Sequence, residues 1–316
     1  MKKSMLVSGA FFLLSACGDP DTASAPSLRS EVLPITAGSY PQPSASPTPV
    51  AAFTPAPIPS ASPSAPAPFA CGATPFVFKI SRTILRSTNG LTEGLSWVDG
   101  KLFESTGSIA GHGASVLNAI DPGTGKVTFL HNTPSRSFGE GLVKLGNYFY
   151  QLTYTEREIY KYTSDGTANG TRQVGTYSSP LSEGWGLTTD GVDLIASDGS
   201  SNIYRLDPND LSIKSQFKVF NPKGRTISGM NELEYVDGQI YANLFPTDRM
   251  IRFDARSGCQ TGEIDLSTLP SNFNCANYPA SCTRDSVTNG VAYDPVGRIF
   301  YLTGKSWPHL FEGQFE

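Results

Sequence analysis

EGLSWVDGKLFESTG at residues 93–107 is the first of five stretches that repeat one pattern along the chain. The others are EGLVKLGNYFYQLTY at 140–154, EGWGLTTDGVDLIASDG at 183–199, NELEYVDGQIYANLF at 231–245 and NGVAYDPVGRIFYLTGK at 289–305. Each copy opens with Glu or Asn and continues with a short apolar run, a turn and a second run in which apolar and polar residues alternate. This order predicts a hairpin of two strands in every copy.

The spacing of the copies predicts the whole fold. Their first residues are 47, 43, 48 and 58 positions apart, a period typical of propeller blades with four strands each. Stretches such as NIYRLD at 202–207 and MIRFD at 250–254 supply a third strand, and no helical periodicity of useful length intervenes. We therefore expect an all-β, five-bladed β-propeller over residues 71–316, closed by the strand FVFKISRTIL at 76–85. A β-sandwich, the alternative, would leave the repeated opening unexplained.

The opening residue of each copy has a functional consequence. Equivalent positions of successive blades surround the central axis, so the opening residues should face one another at similar depth. They are Glu93, Glu140, Glu183, Asn231 and Asn289. Three carboxylates brought together away from water repel one another, so at least one should have a raised pKa and exchange protons near neutral pH. The alternative interpretation is structural, with these side chains capping strand ends.

The N-terminus predicts export. Residues 1–16, MKKSMLVSGAFFLLSA, join a basic start to an apolar stretch too short for a permanent transmembrane helix, which is typical of a signal peptide. The run Leu14-Ser-Ala-Cys17 resembles the bacterial lipobox, in which cleavage before the cysteine is followed by its lipidation. Gly18, rather than Asp, follows Cys17, and this pattern resembles that of lipoproteins transported to an outer membrane. We expect a lipoprotein on the outer membrane facing the periplasm, attached to the membrane through Cys17 alone.

The segment after the lipobox predicts a spacer. Residues 18–70 contain 13 of the 24 prolines, and no charged residue occurs between Val32 and Ala70. A chain rich in Pro, Ala and Ser cannot bury a core or sustain a helix. We therefore expect residues 17–70 to be a lipidated cysteine followed by a disordered tether.

The remaining cysteines predict disulfides. An even number of them in an exported chain suggests two bridges, for which three pairings exist. They are Cys71, Cys259, Cys275 and Cys282. We favour Cys275–Cys282, because it closes a short loop, and this choice leaves Cys71–Cys259. A four-cysteine zinc site is the alternative, but the chain has no C-x-x-C pair to support it.

The charge balance excludes one class of partner. The chain has 24 Lys and Arg against 28 Asp and Glu, a net charge of −4 and a pI near 5.5. A protein that binds nucleic acid through phosphate contacts needs a basic surface, so we expect no nucleic-acid partner.

Ten short motifs resemble, in order, those of one enzyme family. The most informative are Leu91-Thr-Glu-Gly-Leu95, Phe138-Gly-Glu-Gly141, Glu183-Gly-Trp-Gly186, Asn231-Glu-Leu-Glu234 and Thr303-Gly-Lys305. They resemble the glutamine cyclotransferase family, the plant and bacterial type of glutaminyl-peptide cyclotransferase, from about residue 78 to the end of the chain. The resemblance implies an aminoacyltransferase that converts N-terminal glutaminyl residues of peptides or proteins to pyroglutamate and releases ammonia.

The polar residues of these motifs have roles by resemblance. Glu140 matches the residue thought to shuttle a proton from the α-amine to the leaving ammonia. Glu93 matches a carboxylate that holds the α-amino group, and Asn231 an amide that donates to the developing oxyanion. Lys305 matches a cation that tunes Glu140 or polarises the carbonyl. The chemistry requires no metal or other cofactor.

The apolar pocket wall also follows by resemblance. Trp185 and Phe138 match wall residues of the family. Three further wall positions depart from it, because the family commonly has Phe where Leu91 stands and Trp where Tyr154 and Phe245 stand. The pocket would stay apolar with weaker cation–π attraction for an α-ammonium group, so substrate affinity and range are the properties affected.

Two other functions remain open at this point. Lactonase-like propellers hold calcium with a ring of Glu and Asn oxygens, although the ammonium of Lys305 would repel a metal there. A surface-anchored binding propeller without catalysis is the second alternative. The Gly- and Asn-rich run 165–171 has two interpretations, a loop that binds a structural calcium ion and a plain hairpin, of which we favour the hairpin. A monomer is expected because a closed propeller has no unpaired inner edge.

Overall fold

A computed structural model describes residues 71–88, 90–108, 114–269, 276–277 and 283–316 of the chain. Its regular elements in these ranges are strands, β1 to β21. A search of the same residues for a helix long and apolar enough to cross a membrane finds none. The predicted all-β, five-bladed propeller is confirmed.

Five sheets correspond to the five repeated stretches. In each sheet the repeated stretch supplies the innermost strand and the second strand, as β-hairpin patterning predicts. The first blade contains β3 (Thr92–Val98), β4 (Lys101–Thr106), β5 (Val116–Ile120) and β6 (Val127–Asn132). The second contains β7 (Gly139–Leu145), β8 (Tyr148–Thr153), β9 (Glu158–Thr163) and β10 (Arg172–Ser178). The third contains β11 (Leu187–Thr189), β12 (Leu194–Ser197), β13 (Asn202–Leu206) and β14 (Ile213–Lys218).

The last two blades also use strands from the start of the described chain. The fourth contains β15 (Met230–Val236), β16 (Gln239–Leu244), β17 (Arg249–Asp254) and β18 (Gln260–Asp265), with β1 (Thr74–Pro75) added in parallel to β18. The fifth contains β19 (Thr288–Asp294), β20 (Ile299–Gly304), β21 (His309–Phe315) and β2 (Phe78–Leu85). Because β2 pairs with β21, the predicted closure of the ring is confirmed.

A disulfide fixes the segment that precedes the closing strand. Cys71 is bonded to Cys259, which stands immediately before β18. This is one of the two bridges expected from the sequence. The other, Cys275–Cys282, lies outside the described residues and stays a prediction.

The hydrophobic core is divided into five clusters, and each lies between two neighbouring blades. Leu95 and Leu102 of the first blade pack with Ala292 and Leu310 of the fifth, for example. The other four clusters join the remaining neighbours in the same way. No blade therefore buries its own apolar surface alone, which explains why the ring must close before the fold is stable.

At one end of the propeller, four inner strands break their register where the repeated stretch opens. A register break of this kind is a β-bulge, which turns a side chain out of the regular alternation. The first residue inside each break is Glu93, Glu140, Asn231 or Asn289. The bulges therefore place these four side chains, as predicted, around the axis.

The third blade differs from the prediction. In the first and second blades the ring residue precedes the first buried leucine of the inner strand, Leu95 or Leu142, by two positions. The corresponding leucine of the third blade is Leu187, so the ring position belongs to Trp185 and the prediction of Glu183 was wrong. The run 183–186 contains two glycines, and the prediction took the first of them to follow the ring residue.

Candidate active site

A cavity of about 310 Å³ opens at the end of the propeller where the inner strands begin. Its lining residues lie at the start of an inner strand or directly after a second strand, and four blades contribute to it. They are Phe138, Glu140, Tyr154, Trp185, Asn231, Phe245 and Lys305. Two larger openings, of about 590 and 420 Å³, lie among hairpin turns at the opposite end and include none of the ring residues. The cavity of about 310 Å³ is therefore the candidate active site.

Glu140 is the carboxylate that faces this cavity. Its side chain is only 6% exposed, and among the described residues it forms no ion pair. Burial raises the pKa of Glu140 well above its ordinary value, and the neighbouring charge of Glu93 raises it further, while the Lys305 ammonium opposes the rise. The expectation that a ring carboxylate has a raised pKa is confirmed. Glu140 therefore keeps its proton to a higher pH than an ordinary glutamate does.

Glu93 is paired with the cavity's cation. The Lys305 ammonium donates to Glu93 Oε2, and the Glu93 side chain is completely buried. Burial raises the pKa of Glu93 from its ordinary value, and the Lys305 charge limits the rise. Glu93 does not line the cavity but lies behind Lys305. Glu93 Oε1 has no hydrogen-bond partner among the described residues. The predicted role of Glu93, a carboxylate that holds the substrate's α-amino group, stays a prediction.

Lys305 is held from three sides. Its backbone N–H donates to the carbonyl of Val287 over 3.0 Å, and it forms an isolated antiparallel bridge with Leu91. Its Nζ atom lies 5.0 Å from the centre of the Phe245 ring, within the range of a cation–π contact. Leu91 was predicted as a wall residue but does not line the cavity. Its contribution is to place the Lys305 backbone.

Asn231 lines the cavity with a buried amide. The side chain is 3% exposed, and Oδ1 has no hydrogen-bond partner within the described parts of the chain. Its backbone carbonyl accepts from Ser197 Oγ over 2.9 Å, which fixes the strand at this position. Buried polar atoms in folded proteins are nearly always paired. An unpaired amide oxygen at a cavity wall is therefore suited to a polar ligand.

Trp185 forms one wall. Its indole N–H donates to Glu183 Oε2 over 3.0 Å, and its ring meets Phe245 edge to face with centroids 5.9 Å apart. Gly199 leaves room for the indole, since a Cβ atom there would lie 2.6 Å from Trp185 Cε2. Glu183 lies outside the ring, and its carboxylate fixes the orientation of Trp185, which occupies the ring position.

Phe138 and Tyr154 form the opposite wall. Their rings meet edge to face with centroids 6.1 Å apart, and the Tyr154 N–H donates to the Phe138 carbonyl over 3.0 Å. A Cβ atom at Gly107 would lie 2.6 Å from Phe138 Cε1, so only glycine fits behind this ring. Partial burial of the phenol and the charges of Glu183 and Glu140 raise the pKa of Tyr154. Tyr154 is therefore a neutral, partly exposed group at the cavity mouth.

The described residues contain no group of three or more His, Cys, Asp or Glu side chains arranged to hold a metal ion. The lactonase-like alternative needs several oxygen ligands around calcium. At this site one of the two ring carboxylates is instead paired with the Lys305 ammonium.

Comparison with known proteins identifies the family. The family model for glutamine cyclotransferase matches residues 56–315, which is most of the chain. The chain belongs to the glutamine cyclotransferase family. The match includes all four bulged strands and every lining residue of the cavity.

Individual members of the glutamine cyclotransferase family agree with this assignment. The glutaminyl-peptide cyclotransferase of Arabidopsis thaliana is 32% identical over 225 residues, which are 71% of this chain and 67% of that protein. The crystal structure of Myxococcus xanthus glutaminyl cyclase matches with a TM-score of 0.65 and 29% identity, and covers 78% of this chain and 99% of that one. A Streptomyces coelicolor aldose sugar dehydrogenase matches with a TM-score of 0.51 at 14% identity over 78% of this chain and all of that one, which shows likeness of fold alone.

Sequence reasoning missed two parts of this cyclotransferase site. The first is the ring position of Trp185, for which the signal was the leucine two residues later. The second is Glu232, a fully buried carboxylate at the position where the other inner strands have glycine. Its signal was the departure from the Glu-Gly or Asn-Gly opening in the fourth repeat.

Proposed function

We propose that this chain converts N-terminal glutaminyl residues of peptides or proteins to pyroglutamate and releases ammonia. Membership of the glutamine cyclotransferase family supports this function. The mechanism depends on one observation, the position of the Glu140 carboxylate. Glu140 is buried, has a raised pKa and faces the cavity, and it has no ion-pair partner among the described residues. A proton carrier near neutral pH is what the reaction needs.

The reaction closes a ring within one residue. The α-nitrogen of the substrate bonds to the side-chain amide carbon, and the bond from that carbon to the amide nitrogen breaks. Glu140 accepts the proton that the α-nitrogen loses and delivers it to the departing nitrogen, which leaves as ammonia. One carboxyl group therefore serves as base and then as acid, and it returns to its starting state after each turnover.

Negative charge develops on the amide oxygen during the attack. Lys305 and Asn231 accompany Glu140 in the cavity lining. In this proposal the Lys305 ammonium, held by Glu93, stabilises that oxygen, and the Asn231 amide orients the substrate's polar atoms. Fixed groups of this kind act where charge develops without having to reorganise.

The cavity size supports a single-residue substrate site. A volume of about 310 Å³ lies at the lower end of the range of small-ligand pockets. The aromatic walls would hold the flexible glutamine side chain in a bent pose, which lowers the entropic barrier to ring closure. The rest of the peptide would extend past Tyr154 into solvent.

The direct test uses the full-length protein and a short peptide that begins with glutamine. Mass spectrometry should show loss of one ammonia, and a matched peptide that begins with asparagine should stay unchanged. Chelators should leave the rate unaltered, because the proposal uses no metal. No loss of ammonia at neutral or mildly acidic pH would overturn the proposed function and favour a binding propeller.

Membrane attachment is a second proposal, and it concerns residues outside the described ranges. The lipobox at Cys17 supports a lipid-anchored protein with a tether at residues 18–70, most simply on the outer membrane facing the periplasm. Cys17→Ser should release the protein from the membrane fraction, and size-exclusion chromatography of that form tests the expected monomer.

A further inference from the structure

Directly beneath the ring residues, the fourth blade differs from the others. In four blades the residue after the ring position is glycine, and in the fourth it is Glu232. A Cβ atom on Gly94 would overlap the backbone of Leu142, and one on Gly141 would overlap that of Leu187. The inner strands are thus so close that this level of the axis accommodates one side chain, and that side chain is a carboxylate.

Glu232 connects two strands that belong to other blades. Its side chain is completely buried. Oε1 accepts the backbone N–H of Leu95 on β3 over 3.1 Å, and Oε2 accepts that of Val291 on β19 over 2.8 Å. The same carboxylate therefore joins the first and fifth blades from its position on the fourth.

The two strands that Glu232 joins also carry the Glu93 carboxylate and its neutral partner. Leu95 lies two residues after Glu93, and Val291 lies two residues after Asn289. Asn289 Nδ2 donates to Glu93 Oε2 over 3.2 Å. Glu93 Oε2 in turn accepts from the Lys305 ammonium in the cavity. A displacement of either strand at the level of Glu232 would thus move the Glu93 carboxylate and change the position of the Lys305 ammonium.

We propose that Glu232 is a positioning residue, which fixes the spacing of β3 and β19 and thereby holds the Glu93 carboxylate that orients Lys305. The inference rests on the proposed roles of Lys305 and Glu140 in cyclisation. Catalytic groups misplaced by about 1 Å can lose a hundredfold in rate. A buried group outside the cavity can therefore control turnover without touching the substrate.

The chain offers a matched control on the same strand. Glu234 lies two residues after Glu232 on β15 and also reaches a neighbouring blade, because its Oε1 accepts the backbone N–H of Tyr293 over 2.9 Å. Its other oxygen accepts from Thr188 Oγ1 over 3.3 Å. Glu234 makes the same kind of contact but is one level further from Glu93. A merely structural effect should be shared by both carboxylates, whereas a positioning effect should belong to Glu232.

The first experiment compares Glu232→Gln with Glu234→Gln in the full-length protein. Glutamine keeps the shape but turns an amide N–H₂ toward one of the two backbone donors. We expect Glu232→Gln to lower kcat/KM for a glutaminyl peptide about tenfold and to move the Glu140 limb of the pH profile to lower pH. The direction follows because the Glu93 charge, which raises the pKa of Glu140, would move away. Glu234→Gln should stay within about twofold of the parent, with an unchanged pH profile.

A second readout does not depend on turnover. Carbon-13 NMR of labelled glutamate carboxylates reports the titration of Glu140, whose signal is assigned by its loss in Glu140→Gln. A lower Glu140 midpoint in Glu232→Gln, but not in Glu234→Gln, supports the inference even if the glutaminyl peptide is not the substrate. Equal midpoints in all three folded proteins would overturn it.

Two further variants complete the test. Glu232→Asp keeps the carboxyl group but is one methylene shorter and can reach only one of the two amides, so it should shift the midpoint in the same direction. It replaces Glu232→Gln if that variant does not fold. In a Glu93→Gln background, Glu232→Gln should have little additional effect on kcat/KM, because residues that act through one another are not additive. Fully additive losses would contradict an action through Glu93.

Discussion

Glu93 and Glu140 have nearly the same local sequence and very different surroundings. Both precede a glycine, both sit in a bulge at the start of an inner strand, and both are buried. Glu93 is paired with Lys305 behind the cavity wall, whereas Glu140 faces the cavity with a more strongly raised pKa. The comparison shows that the repeat places carboxylates around the axis, and that the neighbours of each one determine whether it is paired with a cation or faces the cavity.

The largest expected effect is the loss of turnover when Glu140, rather than Glu93, is replaced. Glu140→Gln should lower kcat for a glutaminyl peptide by roughly 10²–10⁴-fold, the usual contribution of a general acid–base group. The fold should survive, because Gln has the same shape and this carboxylate has no ion-pair partner among the described residues. Ammonia release measured at matched folded protein, with circular dichroism as the control, tests this prediction.

Glu93→Gln should have an intermediate effect of a different kind. The variant frees Lys305, so we expect a fall in kcat/KM of roughly ten- to a hundredfold through misplacement of the cation. It also removes a negative charge that raises the pKa of Glu140, so the Glu140 limb of the pH profile should move to lower pH. A loss as large as that of Glu140→Gln with no change of pH profile would mean that Glu93 itself transfers the proton.

Folding stability should distinguish the same pair. A carboxyl whose folded pKa lies above its unfolded value of 4.5 retains its proton longer in the folded state, so its contribution to stability is lost as pH rises from about 4.5 through the folded value. Glutamine does not titrate. The melting temperature of Glu140→Gln should therefore exceed that of the parent by a margin that grows with pH. The pKa of Glu93 is also raised, but Glu93→Gln leaves the Lys305 ammonium without its partner, which opposes the gain. The margin should therefore be smaller for Glu93→Gln than for Glu140→Gln, and thermal denaturation between pH 5 and about 9 tests this order.

The smallest expected effect concerns the ring under Lys305. Phe245 stands where the family commonly has Trp, and Lys305 Nζ lies 5.0 Å from its centroid. Phe245→Trp should strengthen this contact, and a cation–π gain of about 0.5–1 kcal/mol corresponds to a change in kcat/KM of roughly two- to fivefold. Tyr154→Phe, which keeps the ring at the cavity mouth, is the matched control. A change in both variants would indicate a general effect of the wall rather than of Lys305.

The fold was predictable from the sequence because the repeated hairpin leaves few alternatives. The pattern 93–107 and its copies give strand, turn and strand, and five such units can bury their apolar faces only between neighbours. The closing role of 76–85 followed from the same reasoning. The Cys71–Cys259 bridge belongs to the favoured one of the three possible pairings, and its prediction is confirmed.

The residue types of the site were predictable, but the ion pairs and hydrogen bonds between them were not. Seven of the nine predicted catalytic and binding side chains line one cavity, because their motifs stand at equivalent strand ends. The pairing of Glu93 with Lys305 could not be read from the sequence, since the two residues meet only when the first and fifth blades become neighbours. The same is true of Glu232, whose acceptors lie on two other blades.

The central claim is that Glu140, and not the similar Glu93, carries the proton during cyclisation of an N-terminal glutamine. The most direct measurement is ammonia release from one glutaminyl peptide by the parent, Glu140→Gln and Glu93→Gln across pH 5–9. The account predicts turnover by the parent, its near-complete loss in Glu140→Gln, and residual turnover with a shifted pH profile in Glu93→Gln. Undiminished turnover by a folded Glu140→Gln protein would contradict it.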